Sequence, residues 1–234
     1  RKLAFSTGFT TEVHGCPVSG DHYKSIMGKT ITGITYITQN GEYNIAADLY
    51  VPIKTGIKAT VENFTEGANE AKLTLTEELP GEFTPVYSVD GTEVTAENGT
   101  LHYENAKPGK HTLTIADKNG KYNEITAEFT VASSAEGENI VSIDSQSGSL
   151  VAANESGVDV VNFAQNIENV TVNGKTYFTT GRGAVSLFFE NGYLDITAAP
   201  IASGFKAGAQ YEMSIQAAGY PTVSFTYTVP DTIY

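Results

Sequence analysis

The sequence predicts an all-β protein built of two antiparallel β-sandwiches in tandem, and three observations predict it. Apolar and polar residues alternate with a period of two, Asn-Gly and Asp-Gly pairs punctuate the alternating runs, and the second half of the chain repeats landmarks of the first. Alternation of this kind marks strands with one buried and one wet face, and Asn-Gly accepts the positive φ angles of two-residue hairpin turns. Many short strands at close spacing, and no apolar stripe of helical period over three turns, favour Ig-like sandwiches over other all-β folds.

Residues 1–30 read as an irregular N-terminal arm, punctuated by Gly8, Gly15, Gly20 and Gly28 without periodicity. The arm holds His14, Cys16 and His22, whose two imidazoles and thiol are weak metal candidates; Cys16-Pro17 is also a dipeptide that can ligate ferric heme. The competing reading is a polar arm facing water, because a closed zinc site wants a second ligand pair and His102 and His111 are remote in sequence.

Residues 31–132 form the first expected sandwich. Ile57–Glu62, Ala71–Thr76 and Ile125–Val131 alternate, and turns are expected at Gln39–Glu42, Val89–Thr92 and Lys118–Lys121. Asp117-Lys118-Asn119-Gly120 superficially suggests a calcium loop, but it lacks the third acidic position and Asn-Gly already explains it as a hairpin. Residues 133–138, small and acidic, are the linker. Residues 139–234 form the second sandwich, with a turn at Val172–Lys175 and an alternating strand at Val223–Val229. The repeat pairs Val89-Asp90-Gly91 with Val172-Asn173-Gly174, Asn98-Gly99-Thr100-Leu101 with Asn191-Gly192-Tyr193-Leu194, and Lys107–Ile115 with Lys206–Ile215.

The 234 residues suit two ordinary domains, with 40% hydrophobic and 18% charged side chains. The formal charge of −13 is shared: residues 1–132 carry 11 basic against 17 acidic side chains, and residues 133–234 carry 3 against 10. Such a field repels phosphate backbones and anionic bilayers, so no nucleic-acid partner is expected. No apolar run reaches membrane-spanning length, and Arg1-Lys2-Leu3 opens no signal-peptide core. Cys16 is the only cysteine, which excludes an intrachain disulfide. Abundant Thr, Asn, Gly, Ser and Tyr without Trp point to an extracellular or cell-surface β protein. No nucleophile elbow, phosphate-cradling Gly loop or His-Glu-x-x-His motif is present, so no enzyme activity is expected.

Three stretches of the second half carry a family resemblance: Ile167–Tyr177 with its Val-Asn-Gly-Lys turn, Asn191–Ile196, and Tyr211–Tyr220 with its Ala-x-Gly-Tyr ending. Residues 139–229 thereby resemble the hemoglobin-interacting domain of Shr-like heme-uptake surface proteins. The resemblance implies a Gram-positive envelope and, for some members, hemoprotein binding, with heme the one cofactor it brings into view. The expected function is a cell-surface binding or adhesion module with a protein ligand. A structural spacer and a carbohydrate-binding module are the alternatives. Loops that lengthen the second repeat place Arg182 and Phe205 as ligand contacts, and Tyr177 and Tyr220 join them as amphipathic aromatics.

Overall fold

A computed structural model describes residues 12–13, 16–17, 27–38, 41–136, 140–144, 150–152, 158–185, 188–190, 193–195 and 201–231. The chain is nearly all β. It begins with a short pair, β1 (Glu12–Val13) and β2 (Cys16–Pro17), and a long hairpin of β3 (Thr30–Thr38) and β4 (Gly41–Tyr50). Thr38 stands opposite Gly41, and Gln39 and Asn40 of the expected Gln39–Glu42 turn lie outside the described residues.

Eight strands come next: β5 (Ala59–Val61), β6 (Phe64–Thr65), β7 (Glu70–Leu75), β8 (Pro85–Val89), β9 (Thr92–Glu97), β10 (Thr100–His102), β11 (Gly109–Asp117) and β12 (Ile125–Ala132). They are ordered β5-β7-β10-β9-β8-β11-β12-β6. Divided at the β8–β9 hairpin into β5-β7-β10-β9 and β8-β11-β12, this is the strand order of an Ig-type sandwich. β6 adds to the second run parallel to β12. The apolar positions of the alternating strands point inward, and Leu73, Val89, Leu101, Leu113, Ile115, Phe129 and Val131 are buried.

The rest of the chain holds β13 (Val141–Ile143), β14 (Leu150–Ala152), a helix α1 (Val160–Gln165), β15 (Ile167–Val172), β16 (Lys175–Phe178), β17 (Phe188–Glu190), β18 (Tyr193–Asp195), β19 (Gln210–Ala217) and β20 (Val223–Thr228). β16-β15-β19-β20 form a four-stranded antiparallel sheet. One apolar cluster, drawn entirely from residues 140–229 and centred on Phe163, Val170 and Ile215, backs that sheet. α1 is absent from the sequence pattern because six residues are too few to show a helical stripe. Asp159 caps it, its carboxylate accepting from the N–H groups of Val161 and Asn162.

One landmark pair of the sequence repeat recurs as the same hairpin, while Asn191 and Gly192 of another lie outside the described residues. Asp90-Gly91 turns β8 into β9 with φ of 48° and 83°, and Asn173-Gly174 turns β15 into β16 with φ of 45° and 81°. Both turns are clasped alike: Asp90 and Thr112, and Asn173 and Glu212, each exchange a backbone and a side-chain hydrogen bond of 2.8–3.1 Å. Lys118–Lys121 departs from expectation. It is part of a wider connection in which the Asp117 carboxylate accepts the N–H groups of Thr84, Asn119, Lys121 and Tyr122, which draws the chain out before β12 begins. Those bonds commit Asp117 to the backbone, so its carboxylate builds a turn and not a calcium loop.

By contacts the chain divides into two compact units, Arg1–Ala59 with Leu75–Tyr87 and Thr114–Thr126, and Thr60–Thr74 with Ser88–Leu113 and Ala127–Tyr234. In the first, Phe83 stacks on Tyr122 at 5.5 Å. In the second, His111 lies between Tyr103 and Phe129 and holds Asp90 Oδ2 and Lys107 O, each at 2.7 Å from a ring nitrogen.

Candidate binding site

The four-stranded sheet sorts its side chains by alternation. Val170, Val172, Met213, Ile215, Val223 and Tyr227 face the core, and the residues between them face outward. The outward set is short and polar, tied by cross-strand hydrogen bonds: Asn169 to Gln216, Thr171 to Thr176 and Thr226 to Glu212, each at 3.0 Å. Phe178 breaks that pattern. It closes the edge strand β16 opposite Asn169, and it is 58% exposed.

Its exposure is a consequence of its neighbour. Tyr177 and Phe178 are adjacent on one strand, so they must point to opposite faces. Tyr177 takes the inward side opposite buried Val170, half-buried against the core, with Lys175 Nζ 4.6 Å from its ring centre. Phe178 is left on the outer face.

The chain then turns through a pinned loop that carries Arg182. Thr179 donates its hydroxyl to the carbonyls of Ile167 and Glu168, where β15 carries a bulge, and Val185 N–H donates to Phe178 O at 2.8 Å. Between these anchors Gly181 and Gly183 take φ of 88° and 81°, conformations that only glycine adopts without strain, and Arg182 projects exposed between them. Phe178 and Arg182 thus sit on one strand-and-loop element held at both ends.

The other expected contacts lie elsewhere. Phe205 is half-buried, stacked on Tyr211 at 4.4 Å and 5.7 Å from Tyr227, where it closes one margin of the core. Tyr220 packs edge-on against buried Phe163 at 5.1 Å and its hydroxyl accepts from Asn162 Nδ2 at 2.5 Å. Burial pushes that hydroxyl above the ordinary tyrosine range; Asn162 opposes the shift, and Asp159 and Glu66 add to it. Tyr220 lines a polar cleft of about 310 Å³ with Glu66, Lys107, Ser133, Ser134 and Asp159. His14 and His22 lie outside the described residues, and of Cys16 only the backbone pairing with Val13 in β2 is described. Among the described residues no three His, Cys, Asp or Glu side chains group as metal ligands, and no helix is long and apolar enough to cross a membrane.

No curated protein matches the chain. Solved structures match it distantly. Murine CEACAM1b is 16% identical over 74% of this chain and 98% of its own, with a TM-score of 0.27. The Escherichia coli adhesin FdeC is 13% identical over 81% and 68%, with a TM-score of 0.27. SGBP-B of the Bacteroides ovatus mixed-linkage glucan utilization locus is 20% identical over 77% of this chain, with a TM-score of 0.26; the match spans 46% of that protein's length. Phe178 and the loop that carries Arg182 fall in a stretch that matches a family model: residues 143–230 match the Hb-interacting domain of the heme-binding protein Shr-like family.

Proposed function

We propose that this chain is an extracellular binding protein that holds a protein ligand on the outer sheet face around Phe178 and Arg182, and that the ligand is a hemoprotein of the hemoglobin kind. The family match over residues 143–230 supports the ligand class. The observation that carries the placement is the exposed Phe178 on an otherwise polar face, with the exposed Arg182 on the pinned loop that follows it. Burying a phenylalanine against a partner is worth roughly 1.5–3 kcal/mol, and aromatic and Arg side chains dominate interface hot spots. A chain of charge −13 attracts only basic surfaces over distance, so a near-neutral hemoprotein would be held by such local contacts.

The test immobilises the full chain and presents hemoglobin and free heme separately. Hemoglobin is expected to bind, and the Phe178→Ala, Arg182→Ala double variant to bind it at least about 30-fold more weakly, the size of a hot-spot loss. Failure of the intact chain to bind hemoglobin would refute the ligand. Undiminished binding by the double variant would keep the ligand and move the site.

A further inference from the structure

The hairpins β3–β4, β11–β12 and β19–β20 are built to one plan. Each is bracketed by a glycine at positive φ and a valine: Gly28 (φ 73°) and Val51, Gly109 (φ 135°) and Val131, Gly208 (φ 70°) and Val229. The two brackets that lie outside the strands carry the same reciprocal bonds. Gly28 N–H donates to Val51 O and Val51 N–H to Lys29 O, at 2.8 and 3.0 Å. Gly208 N–H donates to Val229 O and Val229 N–H to Ala209 O, at 3.0 and 2.9 Å.

The segment leaving the first two hairpins repeats as well. Two residues beyond Val51, Ile53 N–H donates to Lys121 O at 2.9 Å, the carbonyl just before Tyr122. Two residues beyond Val131, Ser133 N–H donates to Gly219 O at 2.6 Å, the carbonyl just before Tyr220. Each acceptor lies in the turn of the next closing hairpin, and each tyrosine there packs on a phenylalanine, Phe83 or Phe163. At the second joint the fit is tight. A side chain at Gly219 would run into Val131 O and Gly109 N, Asn162 Nδ2 donates to Pro108 O at 2.7 Å, and Lys107 faces Asp159 at 3.6 Å. The first joint shares the hydrogen bond but not this cover, since Gly28 stays exposed.

We propose that the edge formed by Lys206, Gly208 and Val229–Asp231 is a third copy of this joint, and that its partner is the tyrosine-bearing closing turn of another sandwich of the same kind. Asp231 holds the position of Ile53 and Ser133, two residues beyond the valine, and is exposed. Lys206 holds the position of Lys107, and Ala207 and Gly208 are exposed where Pro108 and Gly109 are buried. The edge therefore carries the joint's donor, its cation and its glycine with no turn seated on them among the described residues. The proposal is independent of what the outer sheet face binds.

The test appends a second copy of residues 133–234 directly after Pro230 of the full chain, so that its Ser133 falls two residues beyond Val229. A reference protein separates the two by a flexible Gly-Ser linker of about ten residues, long enough to lose the register. The directly joined copy is expected to melt about 4 °C or more above the linked copy. Its Ser133 amide should exchange as slowly as that of the original Ser133, and Lys206→Glu should remove part of the gain by repelling the incoming Asp159. Equal melting of the two proteins, a directly joined copy that folds less well than the linked one, or an unprotected Ser133 amide in the added copy would each overturn the proposal.

Discussion

Asp117 gathers four backbone N–H groups on one carboxylate and is 7% exposed. Burial alone would push its pKa up, but the four donors outweigh it and hold the carboxyl below its ordinary value of 3.8. A group whose pKa is depressed on folding stabilises the fold fully above its unfolded value, and that stability is lost as pH falls through the folded value. Asp117→Asn is therefore expected to lower the melting temperature at pH 7, and the gap to the parent should narrow below about pH 4. A gap that stays constant down to pH 2 would show that the charge is not what matters. Glycines give a second comparison. Gly174→Ala meets only the strain of φ 81°, with open space around it, whereas Gly219→Ala meets φ 79° and three backbone atoms, Val131 O and the N and Cα of Gly109. Both should destabilise, Gly219→Ala by clearly more than the ~1 kcal/mol set by conformation alone. Equal losses in thermal melts would mean the joint gives way without cost.

At the scale of elements, β16 and α1 divide the labour of the C-terminal sheet. Phe163 on α1 is fully buried, and its replacement by Ala should cost ~3–5 kcal/mol. Phe178→Ala should change stability by no more than ~0.5 kcal/mol, because its side chain stays 58% exposed on the outer face. Denaturant titrations of the two variants check the contrast, and a large loss at Phe178 would make it a packing residue instead of a contact. Alternation and Asn-Gly pairs make β7, β12, β15, β20 and their turns legible in the sequence, since those signals are local. Asp117 and α1 are not legible there, the first because its donors come from Thr84 as well as its own turn, the second because it is too short for a period. On the proposed binding face, Arg182 is legible from its loop. Phe178 is missing from the sequence-derived contacts although the Tyr177-Phe178 pair carries the signal: adjacent aromatics on a strand cannot both be inside. Phe205 stands among those contacts, yet its stacking on Tyr211 depends on a partner six residues away that no local pattern reveals.

At the scale of the molecule, every buried member of the apolar cluster lies within residues 140–229, with the half-buried Ala135 packed against it from before them. We therefore expect residues 139–234 to fold when expressed alone, with a melting temperature below that of the same sheet in the full chain, since α1 would lose the Pro108 and Lys107 contacts. Circular dichroism and calorimetry of the fragment check this, and an unfolded fragment would move the boundary into β11 or β12. The parallel pairing of β6 with β12 has a mechanical meaning. Val131 stands opposite Phe64 and Ala132 opposite Thr65, and Glu66 N–H donates to Ala132 O at 2.7 Å. β6 lies near the entry to its sandwich and β12 at its exit, so tension on the chain drags these strands past each other along their length. Bonds sheared in that direction break together, whereas a hairpin peeled from its end opens them one at a time. Pulled from its two ends, the sandwich would yield at a rate set by that pair, the quantity a pulling experiment reads.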